Sequence, residues 1–400
     1  MRDFIITSLQ TWDIEIGSTI KNTALEISKQ NRVLYINTPM DISNRLRGNR
    51  QSPSYIRRMD VIKGEASPLR QINANMWVLD CPFTVLSANF LPASLFNIVN
   101  RKNNARIARW IVEQATALGF KNYIHLIDTD IYRSRYLKEY IHPAVSIYYR
   151  RDYIIGEAYW RRDGTRLEPE LAASADIVLA NSTRFAAELQ PYNPHTYPIE
   201  TGVNLELYNP AKKYETPGDM QDIPRPIIGY MGTINSTRLD GELLYQIISQ
   251  RPDYSFVFTG PEDDIFRRNR IHSLKNAYFT GQKKVDELPA YIAAYDVCIN
   301  PQMVNEITDG NYPLKIDEYL AMGKPTVATS THTMRNIFAG HTHLAINPEE
   351  WLAAIDRAVT EADDKELAKQ RIAFAETHSW GHSVKKIYDI IDKFLKERTT

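Results

Sequence analysis

The chain has 400 residues, 43% of them hydrophobic and 24% charged, with 48 Lys and Arg balanced by 48 Asp and Glu. That length suits two domains of roughly 200 residues, each large enough for its own core, and the composition excludes a disordered or fibrous chain. No stretch approaches the roughly 18 apolar residues of a membrane span. Asp3 interrupts any leader-like pattern at once, and Cys81 and Cys298 are too far apart for a metal spacing, so they read as reduced thiols of a cytosolic protein. The neutral total is unevenly spread: residues 1–150 carry 20 Lys and Arg against 12 Asp and Glu, leaving +8 there and −8 in the remainder.

Phe4 to Ser8 reads as a buried strand, followed by a loop through Asp13 and Glu15 to Gly17, a helix over about 18–29 and a strand over 32–37. This order opens a parallel βαβ unit. Ligands in such sheets lie beyond the carboxyl ends of the strands, which puts Asp13, Glu15 and Gly17 at the mouth. The next stretch carries Arg45, Arg47, Arg50, Arg57, Arg58, Lys63 and Arg70 and is loop-like. It is either a patch for anionic lipid or a lipid diphosphate, or a solvated mobile loop; no reader motif favours nucleic acid. A strand over 76–79 and a helix over 92–118, with Ile107, Ile111 and Ala115 at one-turn spacing, come next. The strand over 123–127 contains His125 and ends in Asp128-Thr129-Asp130. Asp-x-Asp can hold a metal on a diphosphate; acceptor contacts, or a cap for the turn near Ile131, are the favoured readings. Strands over 145–149 and 175–180 follow, the first running into Arg150, Arg151 and Asp152, the second into Asn181-Ser182 and a helix. The polar run 211–224 reads as a linker.

Pro226 to Met231 opens a second parallel unit, with Gly229 and Gly232 bracketing its turn and a loop reaching Arg238. Strands over 255–259, 278–281 and 296–301 alternate with helices. A polar loop, Thr308 to Tyr312, then feeds Pro313 and a short helix that Gly323 stops. The free amides and positive dipole end of that helix make its start a natural seat for a diphosphate. Lys315 lies in its first turn and Glu318 one turn on, on the same face. A cation beside phosphate and a carboxylate within reach of sugar hydroxyls is what holding a nucleotide requires; the plain alternative is a solvated pair contributing about 0.2–0.5 kcal/mol. Helices over 348–360, 365–378 and 384–395 close the chain. His341 and His343 have no third ligand nearby in sequence.

Pro313-Leu314-Lys315, Glu318-Tyr319-Leu320-Ala321 and Gly323-Lys324-Pro325 with Val327-Ala328 resemble the donor-binding segment of GT-B glycosyltransferases, specifically the retaining group called family 4 or glycosyl transferases group 1. The resemblance implies an α/β chain of two Rossmann-like domains facing across a cleft. Residues 1–210 would form the acceptor side, 211–224 the linker and 225–379 the nucleotide-sugar domain, with the C-terminal helix of 380–400 crossing back to the first domain. The implied activity moves a sugar from a UDP- or GDP-linked donor to a glycan or lipid-linked acceptor with retention, in bacterial surface or extracellular polysaccharide synthesis. The protein would be cytoplasmic or peripheral on the inner membrane face, and would need no metal or other cofactor beyond the nucleotide-sugar co-substrate.

By position, Lys315 and Arg238 would neutralise the leaving group, and Glu318 would hold the ribose. Pro313 and Leu314 would start the phosphate-binding helix, with Gly232 and Thr233 approaching the diphosphate. Gly281, Gln282 and Lys283 would frame the base, and Asp309, Gly310 and Asn311 would face the donor sugar. His125 and Asp152 would reach in from the first domain, with Asp13, Gly17, Asp128 and Asp130 on the acceptor side. Many members carry a glutamate where this chain has Gly310. Two rival readings stand beside this one: a nucleotide-sugar epimerase or hydrolase of GT-B fold, and a binding module without catalysis.

Overall fold

The computed structural model describes residues 1–14 and 17–399, so Glu15 lies outside the described residues. It divides into two compact units, 1–199 with 384–400, and 200–383. The division falls at Ile199/Glu200 rather than after residue 210. The segment 211–224, expected as a linker, packs with the second unit, where Met220 is buried in the same apolar cluster as Ile227 and Met231.

The first unit runs β1 (Asp3–Ser8), α1 (Thr19–Ser28), β2 (Arg32–Asn37), α2 (Ile42–Arg47), α3 (Pro53–Lys63), β3 (Leu69–Asn73), β4 (Met76–Leu79), α4 (Ala93–Ala117) and β5 (Ile124–Asp128). It continues with α5 (Leu137–Ile141), β6 (Val145–Arg150), α6 (Ala158–Ser174), β7 (Ile177–Ala180), α7 (Thr183–Leu189) and β8 (Thr196–Pro198). These strands form one sheet in the order β3-β4-β2-β1-β5-β6-β7-β8, parallel except where β3 pairs antiparallel with β4. β1, β5 and β6 are buried along their whole length, as central parallel strands covered on both faces must be. The Arg-rich stretch expected as a loop is ordered into α2, α3 and β3. Ser52 caps α3 through the Tyr55 amide, and Gly64, at φ 78°, ends it.

The second unit runs β9 (Ile227–Met231), α8 (Gly241–Gln250), β10 (Ser255–Thr259), β11 (Ala277–Gly281), α9 (Leu288–Ala294), β12 (Val297–Asn300), α10 (Leu314–Ala321), β13 (Thr326–Thr329), β14 (His343–Ala345), α11 (Pro348–Thr360) and α12 (Lys365–Thr377). Its sheet is wholly parallel, in the order β11-β10-β9-β12-β13-β14. The chain direction of winding reverses between β9 and β12, and in such sheets the crevice beyond the carboxyl ends at that reversal is where a ligand sits. The last helix, α13 (Trp380–Thr399), begins in the second unit and belongs to the first from Val384. Its Val384, Ile387, Ile391 and Phe394 are buried with Phe4, Ile6 and Ile20. No helix among the described residues is long and apolar enough to cross a membrane.

Candidate functional site

α10 is held by its apolar and hydroxyl-bearing face. Ile316, Tyr319, Leu320 and Ala321 are buried in the core of the second unit, and the Tyr319 hydroxyl accepts the Met231 amide at the end of β9 (2.8 Å). Asp317, fully buried, accepts from the Tyr312 hydroxyl (2.7 Å) and pairs with His378 Nδ1 (2.9 Å). An acidic residue in a first turn suits the helix dipole, and here it also locks the loop that enters the helix. No side chain caps the start of α10, and Gly323, at φ 73°, closes its other end. The helix therefore presents open N-terminal amides, with Lys315 and Glu318 on the face the core leaves.

Lys315 reaches the end of β9. Its Nζ donates to the Tyr230 hydroxyl (2.7 Å) and sits 4.0 Å from the centre of that ring. Gly232, at φ 134°, lies against it: a Cβ there would meet Lys315 Nζ at 2.9 Å. This is a close approach that only glycine permits at such a φ. Burial lowers the Lys315 pKa to about 7, with Glu318 opposing the shift and the nearby Arg238 adding to it. Glu318 is pushed up to about 7, again chiefly by burial, against a hydrogen bond from Tyr208 and the charge of Lys315. Burial disfavours the charged forms of both Lys315 and Glu318, and a diphosphate bound beside the lysine would favour its protonated form.

The surrounding loops add unspent polar groups. Asn311, 5% exposed, has neither its amide oxygen nor its nitrogen hydrogen-bonded. Asn300 Oδ1 and Thr329 Oγ1, at the carboxyl ends of β12 and β13, are buried without partners as well. Native interiors leave few such atoms unsatisfied, so these four atoms from three residues are available to a ligand. Of the other donor-sugar candidates, Asp309 is turned toward the segment after β13, where Oδ1 accepts the His332 amide (2.8 Å), and the Gly310 carbonyl accepts from Thr333 Oγ1 (3.1 Å). Thr233 is exposed beside Gly232. Gly281 takes φ 71° at the end of β11, with Gln282 exposed after it. Lys283 is occupied by Asp219 (2.7 Å), which also accepts from Tyr291.

The candidates of the first unit fare differently. His125 is fully buried inside β5, bonded through Nε2 to Thr7 Oγ1 (2.9 Å), and burial holds its pKa down at about 3. It is a neutral core group, so no catalytic contact is available to it there. Asp128 is fully buried in an ion pair with Arg151 and accepts from Ser8 Oγ (2.7 Å). That pairing commits the carboxylate to tying the ends of the central strands β5 and β6 together. Asp130, 2% exposed, accepts the Arg133 amide (3.0 Å) and caps the following turn. Asp13 is bound by Arg70 (2.9 Å) and Asn37 (3.3 Å). Asp152 lies just beyond β6, 3.5 Å from Arg151 and about one third exposed. Gly17 is exposed, with open space around it. Among the described residues no cluster of three or more His, Cys, Asp or Glu side chains could hold a metal.

Sequence reasoning missed Tyr230 and Tyr208, the two hydroxyls that contact Lys315 and Glu318. Tyr230 could have been found from its place inside the strand-end Gly229-x-x-Gly232 turn; Tyr208 lies just ahead of Asn209-Pro210, and nothing local places its hydroxyl on Glu318.

Two parallel α/β units, one carrying an open helix N-terminus and a lysine at its winding reversal, define the GT-B class. Residues 225–361 match the family model described as glycosyl transferases group 1. It is 27% identical over 188 residues to a Bacillus subtilis (strain 168) protein assigned by name to teichuronic acid biosynthesis as the glycosyltransferase TuaH. That match covers 46% of this chain and 47% of the relative, so it spans about half the relative's length. Among solved structures, Anabaena HepE in complex with UDP aligns with TM-score 0.67 at 13% identity over 98% of this chain and 100% of its own. HepE has also been solved with UDP and glucose and with UDP-glucose. Sucrose-phosphate synthase from Thermosynechococcus elongatus aligns with TM-score 0.68 at 15% identity over 99% and 100%. These structures share the fold.

Proposed function

We propose that this protein is a glycosyltransferase that takes a sugar from a UDP- or GDP-linked donor held by the second unit. The observation that carries this is the partly buried Lys315 and Glu318, one turn apart on α10, whose start is uncapped, with Gly232 pressed against the lysine. The α10 amides and Lys315 bind the diphosphate, Arg238 adds a second cation, and Glu318 takes the ribose hydroxyls. Asn311, with both amide atoms free, faces the donor sugar where Gly310 supplies no carboxylate. The acceptor is a glycan or a lipid-linked saccharide, and the resemblance to TuaH supports a role in bacterial surface polysaccharide synthesis. The acceptor hydroxyl attacks from the face the diphosphate leaves and passes its proton to the departing phosphate oxygen, so the anomeric configuration is retained. Catalysis is then positioning plus charge stabilisation, and no metal takes part.

The test is incubation with UDP- and GDP-sugars, with and without a lipid-diphosphate extract, in the presence and absence of a chelator. Transfer that needs an acceptor, ignores the chelator and keeps the anomeric configuration by NMR is expected. Free sugar formed equally well without acceptor would move the protein to the hydrolases. Absence of a thermal shift with UDP and with GDP, together with absence of any product, would end the proposal.

A further inference from the structure

α2 is a helix with none of its residues buried. A helix this short is not stable by local interactions alone and ordinarily relies on apolar burial. Its Ile42 and Leu46, one turn apart, stand exposed, Leu46 by 66%. The start of α2 is joined to the loop after β4: the Ile42 amide donates to the Val85 carbonyl (3.1 Å) and the Ser43 amide to Ser87 Oγ (2.9 Å). That brings the exposed Leu86 beside it. The same loop continues through Phe90, 73% exposed, into α4, whose Leu95, Ile98 and Lys102 follow at helical spacing and are all exposed. An exposed apolar set of this extent on neighbouring elements marks an interaction surface.

The charges along its own segments are basic; of the neighbouring acids, Asp41 pairs with Arg133 and Glu139 with Arg101. Residues 42–59 contain five arginines and no acid, and residues 81–112 contain four Lys and Arg and no acid. The structure sorts the basic residues into two groups. Arg57 and Arg70 turn inward to Asp80 and Asp13, and Arg58 to the Ser54 and Thr38 carbonyls. Arg45, Arg47 and Arg50 remain exposed, and among the described residues no carboxylate pairs with them.

We propose that this face docks the protein on an anionic lipid surface. Leu46, Ile42, Leu86, Phe90, Leu95 and Ile98 enter the boundary between headgroups and acyl chains, and Arg45, Arg47 and Arg50 lie among the phosphates. A protein partner would need an acidic complement of matching shape, whereas a bilayer with anionic headgroups accepts protruding apolar tips and scattered guanidinium groups as they are. The surface is independent of the nucleotide site, so its failure would leave the reading of that site untouched.

The experiment is flotation of the full-length protein with vesicles of phosphatidylcholine alone or with about one third phosphatidylglycerol, without donor or acceptor. Partition onto the anionic vesicles only, reduced by salt, is expected. Leu46→Ser with Phe90→Ser, and separately Arg45→Gln with Arg47→Gln and Arg50→Gln, should each lower the bound fraction by roughly tenfold or more. Both sets are exposed, so melting temperatures should stay close to that of the parent. Arg57→Gln, which breaks an inward pair, should lower the melting temperature and leave vesicle partition unchanged. Equal binding to both vesicle types, or full binding by the serine variant, would overturn the proposal. So would absence of partition together with a concentration-dependent dimer that the serine variant abolishes, which would assign the face to a second copy.

Discussion

Replacing Lys315 with methionine should stabilise the empty protein and weaken nucleotide binding at the same time. Burial holds the Lys315 pKa at about 7, against the ordinary 10.5. For a base whose folded-state pKa is lowered, the unfolded chain binds the proton more tightly. The resulting penalty is absent above the unfolded pKa, grows as pH falls, and is complete below the folded one. At about 1.4 kcal/mol per pKa unit the ceiling is roughly 4–5 kcal/mol. Because Lys315 keeps some solvent contact, we expect a gain of about 2 kcal/mol at neutral pH, or roughly 4–8 °C in the melting temperature of a unit this size. Methionine leaves no new unpaired group: the Tyr230 hydroxyl still donates to the Thr233 carbonyl (3.0 Å), and Glu318, already at about 7, becomes a neutral acid. The loss is on the ligand side. A charge-assisted hydrogen bond to phosphate contributes about 1.5–3 kcal/mol, so Kd for UDP or GDP should rise about 10- to 150-fold. Calorimetric melting and titration calorimetry at pH 7 measure both. A variant that melts lower than the parent and binds nucleotide equally well would refute the reasoning, because it would make Lys315 a structural residue.

Nucleotide binding should be accompanied by proton uptake near pH 8. Affinity should fall above about pH 7, the pKa of the empty-site lysine, by up to about tenfold per pH unit; titration in buffers of different ionisation enthalpy reads this, and Lys315→Met should flatten the profile. Gly232→Ala forces φ 134° on an L residue and sets a Cβ 2.9 Å from Lys315 Nζ. A cost of about 1–3 kcal/mol in urea unfolding, with loss of nucleotide binding, is expected. Asp128→Ala strands the buried Arg151 and should destabilise the protein by about 3–5 kcal/mol, while the folded fraction keeps its nucleotide affinity.

The second unit was more legible than the first because its site is local. Pro313, Lys315, Glu318 and Gly323 lie within one loop, helix and stop, and each residue type states its own backbone or charge role. Asn311 was read with Asp309 and Gly310 as a donor-sugar residue of the loop; that its amide alone stays unsatisfied becomes visible when the neighbours are in place. In the first unit the aspartates at strand ends looked like ligand contacts, but their fate depends on arginines distant in sequence. Asp128 meets Arg151, and Asp13 meets Arg70. The Arg-rich stretch lacked an apolar period and read as loop, since α2 buries nothing and α3 buries only Val61. α6 was hidden by two helix breakers, Gly164 and Pro169. Packing explains the glycine, because a Cβ there would meet Ile131 at 2.8 Å and Ile155 at 2.9 Å.

The route of the polypeptide bears on how the protein can be made and dissected. Residues 200–383 are one uninterrupted piece, but the other unit needs Val384, Ile387, Ile391 and Phe394 to complete the cluster around Phe4 and Ile20. During synthesis the first two hundred residues therefore wait, with an apolar side uncovered, until residues 384–394 have left the ribosome. A fragment ending at Ile199 should aggregate, and one in which the closing helix is grafted directly after Ile199 should be soluble.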